Sequence, residues 1–121
     1  MKARLFFLLF LLPLLANAQA RTDNSLNGEW SFALDPVKVG ENSKWFAEDF
    51  SSARFDKVSV PHCFSVDPRY MFYTGTAWYF KKFAVDAPAG DRVFIRFDAV
   101  FYKSKVWLNG VLIGEHEGGY T

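Results

Sequence analysis

Apolar and polar positions alternate in short runs along this chain, and glycine, proline or asparagine interrupts nearly every run. In residues 24–35, NSLNGEWSFALD, Trp30, Phe32 and Leu34 alternate with Glu29, Ser31 and Ala33, the period of a half-buried strand. Residues 57–60 read as a short strand with Val58 and Val60 on one face, stopped by Pro61. Residues 76–85, TAWYFKKFAV, form a strand whose alternation breaks at Lys81-Lys82, as a bulge would break it. Residues 92–98, RVFIRFD, alternate cleanly, with Val93, Ile95 and Phe97 inward and Phe94 and Arg96 outward.

Asn109-Gly110 lies between Val106-Trp107-Leu108 and Val111-Leu112-Ile113, and Asn-Gly suits a two-residue type I′ turn because both central residues need positive φ. That turn sets Leu108 opposite Val111, Trp107 opposite Leu112 and Val106 opposite Ile113, with the hairpin's exit at Gly114, Gly118 and Gly119. Residues 35–43, DPVKVGENS, have loop chemistry, and residues 45–55 fit one helical turn or an irregular loop. Residues 61–74, PHCFSVDPRYMFYT, hold two prolines without a regular period and predict a long structured loop. About six strands and no amphipathic helix predict an all-β sandwich.

The first residues follow a different pattern. MKAR is basic, LFFLLFLLPLL over residues 5–15 is apolar, and Ala16-Asn17-Ala18 fits a small-x-small cleavage site, with Ala18-Gln19-Ala20 as a second option. The apolar run falls well short of the roughly 20 residues a spanning helix needs. This predicts a secretory signal peptide over residues 1–18, a mature domain over 19–121, export to the periplasm or exterior, and no membrane association after cleavage.

Lys and Arg total 14 against 13 Asp and Glu, and losing Lys2 and Arg4 tips the mature chain slightly acidic. With no basic stripe, nucleic acid is not the expected partner. The one cysteine, Cys63, cannot form an internal disulfide.

Three stretches invite a chemical reading. His62-Cys63 places a nucleophile beside a base, but neighbours on an extended segment point to opposite faces, so a structural role is expected. Glu115-His116-Glu117 offers metal ligands without the H-E-x-x-H spacing, and the expected role is again structural. Residues 68–80, PRYMFYTGTAWYF, are dense in aromatics. Trp78 and Phe80 belong in the core, whereas Tyr70, Phe72 and Tyr73 lie in the loop and are the candidate substrate-binding residues, since aromatic faces bury the apolar side of a pyranose. No catalytic, cofactor or metal residue is assigned.

Taken in order, LNGEWSFALD (26–35), VSVPHCF (58–64), GTAWYFKKF (75–83), VFIRFDAV (93–100), KVWLNG (105–110) and GEHEGGYT (114–121) resemble the N-terminal domain of glycoside hydrolase family 2. That family holds β-galactosidases, β-glucuronidases and β-mannosidases, and the run RFDAV…KVWLNG…HEGGYT is most similar to the β-glucuronidase branch. The resemblance implies a jelly-roll sandwich, here incomplete at its C-terminal end. Further strands, an immunoglobulin-like sandwich and a TIM barrel would follow it. It implies a retaining β-glycosidase whose two catalytic Glu lie on that barrel, with this domain non-catalytic and no cofactor or metal. In galactosidase-type members an Asn after a Tyr-Thr pair can reach the substrate; here Gly75 follows Tyr73-Thr74, so that side chain is missing. A free-standing secreted carbohydrate-binding module without hydrolase activity is the alternative.

Overall fold

The computed structural model describes residues 21–119, so the predicted signal peptide and the terminal Tyr120-Thr121 lie outside it. Five strands run β1 (Gly28–Asp35), β2 (Asp56–Val60), β3 (Thr76–Phe80), β4 (Lys103–Leu108) and β5 (Val111–Glu117). They form two antiparallel sheets, β2-β1-β3 and the hairpin β4-β5. The architecture is all-β, as the short alternating runs predict, and is consistent with the jelly-roll β-sandwich that the family resemblance implies.

β1 is the central strand, and its register sorts the aromatics onto two faces. Phe32 stands opposite Tyr79, while Ala33 stands opposite Trp78 and Ser31 opposite Phe80. Residues paired directly across an antiparallel ladder share a face. Phe32 and Tyr79 therefore lie on one side, and Trp78 and Phe80 on the other. Both sides of β1 are covered: Phe32, Ser31 and Asp35 are all buried. This corrects the half-buried reading of that strand. The pattern misled because Ser31 and Asp35 are polar yet satisfied: Ser31 Oγ accepts from Lys57 Nζ at 2.8 Å, and Asp35 is engaged by the turn that follows it.

The inner face holds the sandwich core. Trp78 stacks on Trp107 of β4 at 5.2 Å and on Phe80 at 6.0 Å, and meets Trp45 edge-on at 5.9 Å. Phe50 and Phe55 close around Phe80, and Phe46 stacks on Trp107 at 5.3 Å. The segment between β1 and β2 is therefore not a strand because its rings plug the gap between the sheets. Lys105 Nζ on β4 also binds Glu41 Oε1 at 2.8 Å, tying the hairpin to that segment.

Four sequence expectations need correction. The hairpin turns at Asn109 (φ 48°) and Gly110 (φ 80°), and Leu108–Val111 and Trp107–Leu112 pair as expected. Val106, however, pairs with Gly114 rather than Ile113, leaving Ile113 as a bulge residue. The shift sets Lys105 opposite Glu115 and Lys103 opposite Glu117, opposite charges across the ladder. The exit accordingly begins after Glu117, so Glu115-His116-Glu117 lie in the strand.

β3 ends at Phe80 rather than Val85, without a bulge at Lys81-Lys82, and Lys81 Nζ reaches back to the Glu29 carbonyl at 2.8 Å. Residues 92–98 pair with no strand among the described residues, and Phe94 is 73% exposed. Alternation records a preference for a face, whereas a strand also needs a neighbour to receive its backbone hydrogen bonds.

Candidate functional site

The outer face of the three-stranded sheet is built on Phe32. Its ring lies 5.0 Å from Tyr79, 5.2 Å from His62, 5.9 Å from Tyr70 and 6.1 Å from Phe64. All but Tyr79 come from the loop after β2, so the sheet anchors this loop through its aromatic face. Within the loop a 3₁₀ turn spans Phe64–Val66, and Tyr70 N–H then donates to the Asp67 carbonyl at 2.8 Å and Tyr73 N–H to the Tyr70 carbonyl at 2.8 Å. The Asp67 carboxylate accepts from Arg69 N–H at 2.9 Å and from the Arg69 guanidinium at 2.7 Å, which closes the bend. The Arg69 guanidinium carbon in turn lies 4.9 Å from the Tyr70 ring centroid.

The three candidate residues occupy different settings in this loop. Tyr70 is half-buried on Phe32 and donates its hydroxyl to Asp56 Oδ2 at 3.1 Å. Tyr73 is half-buried against Phe64, and its hydroxyl donates to the Thr76 carbonyl at 2.7 Å. Phe72 is 87% exposed and has no ring partner among the described residues. Tyr70 and Tyr73 thus hold the loop, and Phe72 is the ring the loop presents, with Met71 beside it at 50% exposure. Tyr73 also explains Gly75: a Cβ at that position would fall on the Tyr73 hydroxyl. The place of a side chain at 75 is filled by the tyrosine two residues earlier.

His62 and Cys63 separate as expected of neighbours on an extended segment. His62 Nδ1 lies 2.9 Å from Tyr79 Oη inside the Phe32 cluster, whereas Cys63 is exposed with Sγ 3.1 Å from Ser65 Oγ. Burial, with the nearby Cys63, pushes the Tyr79 phenol up to about 12, so it stays protonated as a hydrogen-bonding group. Glu117 is taken by Lys103 at 3.0 Å, and no group of three or more His, Cys, Asp or Glu among the described residues is placed to hold a metal.

Sequence reasoning treated Asp35 as the start of a loop and missed its role. Its Oδ1 accepts from Val39 N–H at 2.8 Å, and its Oδ2 from Gly40 N–H at 2.8 Å and Trp78 Nε1–H at 3.1 Å. Burial would raise this carboxyl, but the donors of Gly40, Val39 and Trp78 prevail and hold it below its ordinary 3.8. The turn brings Gly40 so close to Trp78 that a Cβ there would fall inside the indole. The signal available was Asp-Pro followed by a glycine five residues after the Asp, since Asp side chains bond the backbone that follows them. What the letters lack is the third donor, Trp78, which comes from 43 residues away.

The geometry is that of a braced loop presenting one exposed aromatic ring, Phe72, at the face of a β-sheet. The comparisons carry this further. Residues 24–121 match the family model described as glycosyl hydrolases family 2, sugar binding domain, and the chain belongs to that family. It is 41% identical over 102 residues to a β-galactosidase of Thermoanaerobacter pseudethanolicus, covering 80% of this chain and 13% of that protein. It is 31% identical over 115 residues to the β-glucuronidase of Sus scrofa, covering 85% of this chain and 18% of that one. Among solved structures, Lactobacillus rhamnosus β-glucuronidase superposes with a TM-score of 0.72 at 37% identity, over 82% of this chain and 17% of that chain. The chain therefore corresponds to the sugar-binding domain and spans less than a fifth of these relatives.

Proposed function

We propose that this chain is the non-catalytic N-terminal domain of an exported retaining β-glycosidase, acting on β-galactosides or β-glucuronides. The match of residues 24–121 to the family's sugar-binding domain carries the reading. Relatives named β-galactosidase and β-glucuronidase support the hydrolase class. In this reading the domain braces a catalytic barrel and sets the loop of Tyr70, Phe72 and Tyr73 toward the carbohydrate. Phe72 offers the apolar surface, and Tyr70 and Tyr73 keep it in place. The two carboxylates of a retaining mechanism, about 5–5.5 Å apart, would come from the barrel. The expected partner is carbohydrate, not nucleic acid, and residues 1–18 would direct export to the periplasm or exterior and leave no membrane anchor.

The test is to isolate the native protein with an antibody raised against residues 21–119 and supply p-nitrophenyl β-D-galactoside and β-D-glucuronide. Hydrolysis of either, by a protein beginning at Gln19 in the exported fraction, supports the reading. Glycan binding without hydrolysis would favour the free-standing binding module instead.

A further inference from the structure

The turn that presents Phe72 also presents a sulfur. Tyr73 N–H donates to the Tyr70 carbonyl at 2.8 Å, which makes Met71 and Phe72 the central residues of a β-turn. Both ends of that turn are held: Tyr70 by Phe32 and Asp56, Tyr73 by Phe64 and the Thr76 carbonyl. The centre is bare, with Met71 50% and Phe72 87% exposed. Methionine ordinarily serves a core as a flexible gap filler. Here aromatic rings close the core around Trp78 and Trp107, and Met71 stands outside it. The chain's other methionine is Met1, within the predicted signal peptide. The other sulfur on this loop is Cys63, whose Sγ lies 3.1 Å from Ser65 Oγ.

We propose that Met71 is an oxidation site, converted to its sulfoxide by hydroperoxides, and that the conversion weakens the work of this loop. The second half rests on the substrate-facing role put forward above. In the step, the thioether sulfur attacks the outer oxygen of the hydroperoxide. An S–O bond forms and the O–O bond breaks. The leaving alkoxide takes the hydroperoxide's proton and departs as an alcohol. Sulfur gives up an electron pair and the peroxide gains it. Such oxidation follows access, which a half-exposed side chain has and a core methionine lacks. The product is polar and chiral where the thioether was apolar. It stands in water, so no unpaired polar group is buried and the fold has no reason to change. The change falls on the apolar surface beside Phe72, where a sulfoxide holds water that an incoming ligand has to displace. Methionine sulfoxide reductases reverse the step, which makes the modification a switch rather than a lesion.

The experiment treats the native protein with tert-butyl hydroperoxide. It follows Met71 by peptide mass spectrometry, Tm by tryptophan fluorescence, and hydrolysis of p-nitrophenyl β-D-galactoside and β-D-glucuronide. Met71 should oxidise at a rate within about threefold of N-acetylmethionine amide, because its sulfur is accessible. Tm should hold, and KM should rise about fourfold, the worth of roughly one buried methylene. A methionine sulfoxide reductase should restore KM. M71L, which keeps Cys63 but has no thioether, should not respond to the peroxide. An unmodified Met71 would overturn the site while the glycosidase reading stands. A Tm that falls with oxidation, or a response that persists in M71L, would overturn the action through the turn. Oxidised Met71 with an unchanged KM would overturn the regulation. Absence of hydrolysis before any peroxide is added would overturn the glycosidase reading and the regulation with it, while the mass of the Met71 peptide still decides the oxidation site.

Discussion

Replacing Asp35 by alanine should cost the domain more than any other single polar change. Gly40 and Trp78 are buried, so Asp35→Ala leaves the Gly40 N–H and the Trp78 indole N–H without an acceptor or water. Each buried orphan costs about 1–3 kcal/mol, and the two together about 4 kcal/mol. Val39 is 39% exposed, so its N–H can turn to solvent and adds little. Asp35→Asn separates the geometry from the charge. Its carbonyl can take the place of Oδ2 and serve both buried donors, while its amide faces the Val39 N–H, so the cost falls to about 2 kcal/mol.

The assay is urea unfolding followed by tryptophan fluorescence, repeated as a function of pH. The folded carboxyl titrates below its ordinary 3.8, so the folded state favours the charged form. Its contribution is fully present above the unfolded value and is lost as pH falls through the lower folded value. Asp35→Asn should remove that acid-side loss. A cost below about 1 kcal/mol for Asp35→Ala, or an unchanged acid limb in Asp35→Asn, would refute the reasoning.

Other perturbations should act in graded fashion. Phe32→Ala should cost about 3–5 kcal/mol in the same assay, because the ring is 2% exposed and anchors four aromatic neighbours. Trp107→Ala should cost about 3 kcal/mol and change the near-ultraviolet circular dichroism, since it removes the stack joining β4 to Trp78 and Phe46. Phe72→Ala should leave stability within about 0.5 kcal/mol. In the proposed glycosidase it should raise KM more than it lowers kcat; equal melting with unchanged KM would remove Phe72 from the proposed substrate path.

How much of this was legible in the letters varies by residue. The Asn109-Gly110 turn was legible because its backbone conformation selects those residue types. The bulge at Ile113 was not, because it depends on whether Lys103 and Lys105 meet Glu117 and Glu115, a choice made across the ladder. Trp78 and Phe80 could be assigned to the core from strand alternation, but the alternation of residues 92–98 says nothing about who pairs with them. Tyr70, Phe72 and Tyr73 were grouped by composition as one aromatic platform. Their separate settings follow from hydroxyl partners, Asp56 and the Thr76 carbonyl, whose distances no spacing rule supplies. Asp35 was hidden for the same reason: a turn carboxylate is ordinary until a tryptophan from another strand closes on it.

The central claim is that this sandwich serves a retaining β-glycosidase. The most direct measurement is proton NMR of the sugar first released when the native protein hydrolyses a β-galactoside or β-glucuronide. The account predicts the β anomer first, with the α anomer appearing only as mutarotation proceeds. The α anomer first, or no hydrolysis of either substrate, would contradict it.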